Sequence, residues 1–366
     1  MARKLKSDKI LFLATLLLVC ASIVMVYSAS AVRALDHPDQ QYLFLVKQAM
    51  WAAVGVAIVG LAMRFNYQHF QRPPIIWAML GLAAVGLVLV LFGAPVNGAR
   101  RWIGLGSFGI QPSEFAKLAA VVFTAALLER RMARINEVGY SLTPIGLALV
   151  AMVGLIMLEP DYGSAMALVA IVSVIVFAAG LGWRYLAGAV LTVGPLAAVL
   201  LWIEPYRWQR VLAFLHPWKD PQGKSFQLVQ STIAVGTGGV LGRGLAGGIQ
   251  KLGSLPEPHS DFIYAVICEE LGLIGATGVL LCFAVITWRG LRIASRAPDA
   301  FGALLATGIT AMVAVQAFVN ISVVLGLLPT KGIALPLVSA GGSSLLISTL
   351  AIGILLNISQ HASAEA

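Results

Sequence analysis

Charged residues are scarce in this sequence. Asp, Glu, Lys and Arg make up 11% of the 366 residues, and hydrophobic residues make up 59%. A soluble globular protein carries about 25% charged residues. A chain with so little charge lacks the polar side chains needed to cover a water-facing surface. The composition therefore excludes a soluble globular protein and indicates one that is surrounded by lipid.

Cysteine is also nearly absent. Cys20, Cys268 and Cys282 all lie in apolar runs, and they show neither metal-ligand spacing nor a disulfide pattern. We expect them to be small buried hydrophobic residues. The sequence thus predicts no disulfide scaffold and no cysteine metal centre.

The basic residues are not clustered, although the net charge is +9. Their spread along the chain indicates topology signals and contacts with anionic lipids, and it argues against a nucleic-acid surface. The first apolar run lacks an Ala-x-Ala cleavage site and is long enough to span a membrane. This predicts a retained anchor, not a cleaved signal peptide.

Long apolar runs recur along the chain, and each approaches the roughly 20 residues that cross about 30 Å of hydrocarbon. The runs are continuous and not alternating, which favours helices over a closed barrel. The sequence predicts an all-α polytopic membrane protein with ten spans, at about residues 10–30, 44–63, 74–92, 114–128, 144–158, 164–179, 186–203, 261–288, 301–325 and 337–357.

The orientation follows from the positive-inside rule. The N-terminus carries Arg3, Lys4, Lys6 and Lys9, and the predicted inner loops are similarly basic. We therefore expect both termini to be cytoplasmic. The whole chain, residues 1–366, forms one transmembrane domain in this prediction, and residues 204–260 form a large outer loop between spans 7 and 8.

Ionisable residues at membrane depth are costly and are candidates for function. By the predicted topology they concentrate on the outer side. The cations there suit a phosphate or pyrophosphate, because Arg offers forked donors and Lys a point charge. The set comprises Arg100, Arg101, Lys117, Arg207, Arg210, Arg243, Lys251 and Lys331, with the carboxylates Glu114, Glu159, Asp161, Glu257 and Asp261.

The glycine-rich run at residues 236–244 has two interpretations. Its backbone N–H groups can approach an anion closely, or the glycines can serve a flexible loop or close helix packing. The run lacks Walker spacing, so both interpretations stay open.

Asp261 lies where the polar loop meets a predicted span. A carboxylate there can act as a general base if burial tunes its pKa, or it can be an acid stabilised by the helix dipole. His259 is expected to be a polar loop residue and not a metal ligand. Glu159 and Asp161 are candidate partners for Lys117 or for the paired arginines. The adjacent Glu269 and Glu270 cannot share one helix face, so at least one is expected to face a polar interior.

These residues together resemble the SEDS family of bacterial membrane proteins over most of the chain. The paired arginines and the Pro-Thr-Lys-Gly turn are similar to the family's cell-division branch more than to its elongation branch. Ser260 departs from the usual Thr and Ala340 from the usual Tyr. The motifs that carry the resemblance are 97–103 (NGARRWI), 111–117 (QPSEFAK), 159–163 (EPDYG), 226–231 (FQLVQS), 255–263 (LPEPHSDFI), 328–332 (LPTKG) and 341–344 (GGSS).

The resemblance implies ten transmembrane helices and a peptidoglycan glycosyltransferase that polymerises lipid II in the bacterial inner membrane, at the division septum. It implies a class B penicillin-binding protein (FtsI-like) and other divisome membrane proteins as partners. The family's essential acid corresponds to Asp261. Candidate substrate-binding residues are Arg100, Arg101, Arg243 and Lys331 for pyrophosphate, with Lys117, Glu114, Glu159 and His259 around them.

Three alternatives stay open. Asp261 could bind a divalent cation instead of acting as a base. The protein could be a flippase that moves lipid II across the bilayer, although its ionisable groups lie mainly on the outer side. It could also be a non-catalytic scaffold for the penicillin-binding protein, which would survive loss of Asp261.

Overall fold

The structure is a computed structural model that describes residues 7–36, 42–94, 99–104, 109–203 and 205–361. Within these ranges the regular elements are all helices, and Ile103 and Ile110 form an isolated antiparallel bridge. The α-helices are α1 Lys9–Asp36, α2 Leu43–Ala62, α3 Pro73–Leu91, α4 Pro112–Glu129, α5 Val138–Leu158, α6 Tyr162–Ala178, α7 Trp183–Ile203, α8 Pro205–Leu215, α9 Phe226–Gly238, α10 Ile263–Ser295, α11 Ala300–Val324 and α12 Gly342–Ser359.

Ten of these helices overlap the ten predicted spans, and α8 and α9 lie in the predicted outer loop. In the part of the chain that the structure describes, seven helices are long and apolar enough to cross a membrane, namely α1, α2, α3, α5, α10, α11 and α12. Helix α6 is apolar but shorter. An integral membrane protein built from helices is therefore confirmed.

The helices form a buried centre and a lipid-facing perimeter. Of the span windows in α11 and α12, 67% and 78% are buried, against 22% in α2 and in α5. Helix α4 is central too, since 15 of its 18 residues are buried. The perimeter exposes large apolar side chains such as Trp77, Val150 and Phe177, as a lipid solvent requires. The central helices carry the polar groups described below.

Helix α10 is broken at Gly272, where the backbone has φ +64° and ψ −161°. A left-handed φ costs glycine little, because it has no β-carbon. The break frees backbone groups of α10 at a depth where water cannot satisfy them. The predicted continuous span over about residues 261–288 did not include this interruption.

The glycine-rich segment forms hydrogen bonds with the backbone groups of α10 at the break. The N–H groups of Arg243 and Gly244 donate to the carbonyls of Glu269 and Glu270, both at 3.0 Å. In return, the N–H of Leu273 donates to the carbonyl of Gly239 at 2.9 Å. Because these N–H groups are occupied, close packing explains the glycines, and the anion cradle is not observed there.

Several predicted element boundaries differ from those of the structure. The last span was predicted from residue 337, but α12 begins at Gly342, because Ser339 and Ala340 hold the chain against another segment. Helix α10 begins at Ile263, not at Asp261. Several residues used in the sequence argument, Arg3, Lys4, Lys6, Asn97, Gly98 and Glu204, lie outside the described ranges, as does the side chain of Arg207.

Candidate active site

A short turn at residues 257–262 carries Asp261 and is fixed through its backbone. The carbonyl of His259 accepts from the N–H of Ala340 at 2.9 Å. The carbonyl of Ser260 accepts from Oγ of Ser339 at 2.6 Å, and the carbonyl of Asp261 accepts from Nδ2 of Asn320 at 2.8 Å. Three successive carbonyls are thus held, so the position of the Asp261 side chain is well determined.

The Asp261 carboxylate lies against Gly332. A β-carbon built on Gly332 would be 2.6 Å from Oδ2 of Asp261. Gly332 is exposed and Asp261 is partly buried. The carboxylate therefore sits at an opening to the surface, beside a backbone stretch that has no side chain to cover it.

The helix-capping interpretation of Asp261 is not supported. The N-cap of α10 is Phe262, and no side chain accepts a hydrogen bond there. Burial first, and then repulsion from Glu257, raise the pKa of Asp261 to about 6; Asp161 adds to this, while Arg101 and Arg210 oppose it. The direction of this pKa shift is opposite to the effect of a helix N-terminus, which would lower the pKa of a carboxylate.

Cations surround this turn. The Arg210 guanidinium donates to the carbonyl of Thr330 at 3.0 Å, which attaches the outer loop to the 328–332 turn. The Lys331 ammonium lies 4.9 Å from the centre of the Tyr162 ring, a cation–π geometry. Positive charge from two parts of the chain thus converges near Asp261.

Arg101 approaches from the α3–α4 connection. Its Nε donates to the carbonyl of Glu159 at 3.4 Å and its terminal nitrogen to the carbonyl of Pro160 at 2.5 Å. Its charge opposes the rise in the pKa values of both Asp261 and Glu159. Arg100 instead is exposed and donates to the carbonyl of Leu91 at 2.8 Å.

Glu159 is fully buried, and neither carboxylate oxygen has a hydrogen-bond partner among the described residues. Burial first, and then repulsion from Asp161, raise its pKa to about 8, against the opposing effect of Arg101. Glu159 is therefore neutral at pH 7. Glu159 and Asp161 were candidate partners for Lys117 or for the paired arginines; Lys117 pairs with Glu114 instead, whereas Arg101 bonds to the carbonyl of Glu159.

Asp161 has a structural role. Its Oδ1 accepts from the N–H of Ser164 at 3.2 Å and caps α6, while Oδ2 accepts from Nε2 of Gln111 at 3.1 Å. Capping of this kind fixes the start of a helix. Asp161 thereby orients the Glu159–Asp161 break beside the Asp261 turn, but it does not pair with Lys117.

Lys117 is buried at 1% exposure and pairs with Glu114 on the same helix, with Nζ 2.7 Å from Oε1. It also donates to Oε1 of Gln316 on α11 at 2.9 Å. The i, i+3 spacing of Glu114 and Lys117 allows this contact. The pair lies inside the helix packing, so it supports the site from within and does not line its surface.

His259 is buried, with its ring edge-on to Phe44 of α2 at 5.2 Å between centres. Its Nε2 is 3.5 Å from a carboxylate oxygen of Glu257. No cluster of three or more His, Cys, Asp or Glu side chains suited to a metal occurs in the part of the chain that the structure describes.

Arg243 is not brought to the Asp261 turn. It is exposed, and its backbone is bonded to Glu269, inside α10 and away from that helix's beginning. The structure thus brings together Asp261, Arg101, Lys331 and Glu159, and it leaves Arg100 and Arg243 further out.

A second buried polar cluster joins α10 to α1. Glu270 accepts from Oγ of Ser28 at 2.7 Å and from Nζ of Lys251 at 2.5 Å. Glu269 accepts from the N–H of Ile249 at 2.8 Å. Both glutamates are buried, so the expectation that at least one faces a polar interior is confirmed.

Comparison with known proteins identifies the family. The model described as "Cell cycle protein", for FtsW, RodA and SpoVE, matches residues 8–364. The chain belongs to this family. The resemblance inferred from the motifs is confirmed.

Relatives and solved structures agree with this membership. The chain is 40% identical to "Probable peptidoglycan glycosyltransferase FtsW" of Geobacter metallireducens, over 96% of this chain and 94% of the relative. It is 41% identical to "Stage V sporulation protein E" of Bacillus subtilis, over 98% of each.

Among solved structures, the chain is similar to one from "Structural coordination of polymerization and crosslinking by a peptidoglycan synthase complex". The TM-score is 0.81 and the identity 31%, over 99% of this chain and 100% of the other. The rod shape determining protein RodA of Thermus thermophilus matches with TM-score 0.71, 28% identity and 99% coverage of both chains.

Sequence reasoning missed Asn320, Gly332 and Ser339 as residues of the site. Asn320 lies inside an apolar run, where a lone polar residue at membrane depth is itself a signal. Gly332 follows Lys331 in a recognised motif, but its proximity to Asp261 depends on two segments that are about 70 residues apart in the sequence.

Proposed function

We propose that this protein is a peptidoglycan glycosyltransferase that polymerises lipid II into glycan strands. The observation that carries the proposal is similarity of about 40% over nearly the full chain to proteins named peptidoglycan glycosyltransferases. The family membership and the match to a peptidoglycan synthase complex support it. The location is the bacterial inner membrane.

Asp261 is the general base in this proposal. It takes the proton from the 4-hydroxyl of the acceptor's N-acetylglucosamine as that oxygen forms a bond to the anomeric carbon of the donor. The bond from that carbon to pyrophosphate breaks, undecaprenyl pyrophosphate leaves with the electron pair, and the anomeric centre inverts. Partial burial supports this role, because a pKa of about 6 suits a base that works near neutral pH.

The leaving pyrophosphate is neutralised by cations at the same turn. Arg101 and Lys331 are the foremost candidates, and Arg210 joins them because it acts on Asp261 and bonds to the 328–332 turn. Arg100 and Arg243 are further candidates for binding the more distant parts of the substrate. Charge stabilisation of this kind supplies the part of the rate that one base cannot, since a general base gives about 10²–10⁴-fold.

Glu159, Glu114, Lys117 and His259 support this arrangement. The buried Glu114–Lys117 pair fixes α4 against α11. His259 fills the space between its turn and α2. Arg101 holds the Glu159–Pro160 backbone through two hydrogen bonds, and Glu159, whose pKa is raised by burial, lies next to it in that segment.

The proposed topology has ten transmembrane helices in one domain over residues 1–366. Both termini are cytoplasmic, and residues 204–260 form a large extracytoplasmic loop. The basic residues of the short inner connections, such as Arg130, Arg131 and Arg134, support this orientation.

The proposed partner is a class B penicillin-binding protein of the FtsI type, within the divisome at the septum. The match to a peptidoglycan synthase complex that coordinates polymerization and crosslinking supports a partner that crosslinks. A glycosyltransferase without crosslinking activity of its own needs such a partner to make a mesh from strands.

The test is lipid II polymerisation by the purified protein with its penicillin-binding partner, whose transpeptidase is blocked. Wild type is compared with Asp261→Asn and with Asp220→Asn, a control in the exposed part of the same loop. We expect strands from wild type and from Asp220→Asn, and none from Asp261→Asn.

Other results would reject parts of the proposal. Wild-type rates from a correctly inserted Asp261→Asn protein would remove the base assignment. Loss of wild-type activity in chelator, restored by one metal, would make Asp261 a cation ligand. No strands from any protein, with lipid II crossing a vesicle bilayer, would indicate a flippase. Restored division by Asp261→Asn in cells would indicate a scaffold.

A further inference from the structure

Asn320 of α11 is a buried polar residue that the proposed chemistry does not use. Its side chain is 1% exposed. Nδ2 donates one hydrogen bond to the carbonyl of Asp261 at 2.8 Å and another to the carbonyl of Ile333 at 2.7 Å. A side-chain amide has two N–H donors, so both are used.

The two carbonyls belong to two different segments of the candidate site. One segment is the 257–262 turn with Asp261. The other runs from Thr330 to Ala340 and contains Lys331 and Gly332, whose α-carbon lies beside the Asp261 carboxylate. Asn320 therefore bridges the candidate base and the candidate pyrophosphate-binding turn through one planar group.

The bridge is anchored in the rigid part of the molecule. Helix α11 packs against α4, α6 and α10, and 67% of its span window is buried. An amide held on such a helix sets the distance between its two acceptors, because neither it nor its backbone has room to move.

Two other hydrogen bonds also join the turn to the 330–340 segment, at the two residues before Asp261. Oγ of Ser339 donates to the carbonyl of Ser260 at 2.6 Å, and the N–H of Ala340 donates to the carbonyl of His259 at 2.9 Å. Loss of Asn320 would thus leave the turn attached one and two residues before Asp261, while Asp261 itself could shift.

We infer that Asn320 is a positioning residue for glycosyl transfer, which fixes the Asp261 carboxylate relative to Lys331 and Gly332. The inference rests on the proposed function, since it assigns the base and the pyrophosphate turn. Asn320 is buried and does not touch substrate. Its effect arises because a displacement of about 1 Å in an active site can lower the rate about 10²-fold.

The test compares Asn320→Leu with Asn357→Leu. Leucine has the same branching at the γ-carbon and no hydrogen-bond donor. Asn357 is a matched control at the other end of the molecule. It is fully buried in α12, donates to the carbonyl of Met63 at 2.9 Å and accepts from the N–H of Tyr67 at 2.9 Å. Both substitutions remove an asparagine that bridges two backbone groups.

We expect Asn320→Leu to lower kcat for lipid II polymerisation about 10–100-fold, with KM changed less than about threefold. Asn357→Leu is expected to lower thermal stability by about as much as Asn320→Leu does, but to keep kcat within about twofold of wild type. A merely structural role for Asn320 would make the two variants alike.

The pH profile gives a second readout. In wild type the acidic limb of kcat reflects Asp261, which faces Glu257, Asp161, Arg101 and Arg210. A loosened turn admits water to the carboxylate and reduces the burial that raises its pKa. The limb of Asn320→Leu should therefore move to lower pH, whereas that of Asn357→Leu should stay in place.

Failure of the inference and failure of the proposed function are distinguishable. If wild type makes no strands, the proposed function fails. If wild type makes strands and Asn320→Leu has the wild-type kcat and the wild-type acidic limb, the inference is overturned. It is also overturned if Asn357→Leu loses kcat and shifts the acidic limb as Asn320→Leu does. Should Asn320→Leu not accumulate, Asn320→Thr, which retains one donor, takes its place with the same criteria.

Discussion

Gly332 lies so close to Asp261 that a β-carbon on the glycine would be 2.6 Å from the Oδ2 atom of the carboxylate. Real side chains do not approach so closely, so any residue other than glycine would displace the carboxylate. The absence of a side chain at residue 332 also keeps the carboxylate open to the surface, because Gly332 itself is exposed.

Gly332→Ala is therefore expected to lower the polymerisation rate about 10–100-fold, since a displaced base loses its alignment. Stability should change by less than about 0.5 kcal/mol, because the site is at the surface. Rate and thermal unfolding would be measured on the same preparation. Gly278→Ala, where nothing lies within 4 Å of the added carbon, is the control. Equal rates for wild type and Gly332→Ala would contradict the close approach.

Glu159→Gln should be tolerated at pH 7, because the wild-type carboxyl is already neutral there. Its pKa of about 8 lies above that of an unfolded glutamate. The folded state thus holds its proton while the unfolded state loses it, so wild-type stability falls as pH rises from about 4.3 to 8. Glutamine has no such loss.

The measurement is the melting temperature of wild type and Glu159→Gln between pH 5 and pH 8. The melting temperature of Glu159→Gln relative to wild type should rise with pH over this window and level off above it. Glu137→Gln, at an exposed residue of the α4–α5 connection, should show a constant difference from wild type. A Glu159→Gln difference that does not depend on pH would show that the carboxyl is ionised throughout.

Lys117→Met should destabilise the protein by about 3–5 kcal/mol, because it leaves Glu114 as a buried charge without a partner. The pair is 2.7 Å apart, and both side chains are nearly inaccessible. The double variant Glu114→Gln/Lys117→Met should recover most of this loss, since no charge remains buried. Thermal unfolding of the two single variants and the double variant gives the coupling energy. Additive losses would contradict a direct pair.

Gly242→Ala should prevent the 239–244 segment from packing on α10. The added carbon would lie 2.1 Å from the Glu270 carbonyl oxygen, and Gly242 has φ +78°. Gly236→Ala, a few residues earlier with open space around it, should fold normally. The comparison uses yield and monodispersity in detergent. Normal folding of Gly242→Ala would show that the segment does not seal the break in α10.

Composition and local sequence pattern were enough to predict a lipid environment and a helical structure. A chain with 11% charged residues and long continuous apolar runs can satisfy its backbone in lipid only as helices. Asp261 stood out for a similar reason, since it is a carboxylate at the junction between a polar loop and an apolar run. The i, i+3 spacing of Glu114 and Lys117 indicates their pairing, although Glu159 and Asp161 were the predicted partners for Lys117 or for the paired arginines.

Only the tertiary structure decided what surrounds Asp261. Its neighbours Gly332, Asn320 and Ser339 come from segments far apart from it in the chain. No local periodicity encodes such contacts. The break at Gly272 and the non-helical stretch before Gly342 were hidden for the same reason. At both places hydrogen bonds to a distant segment stabilise a backbone path other than a continuous helix.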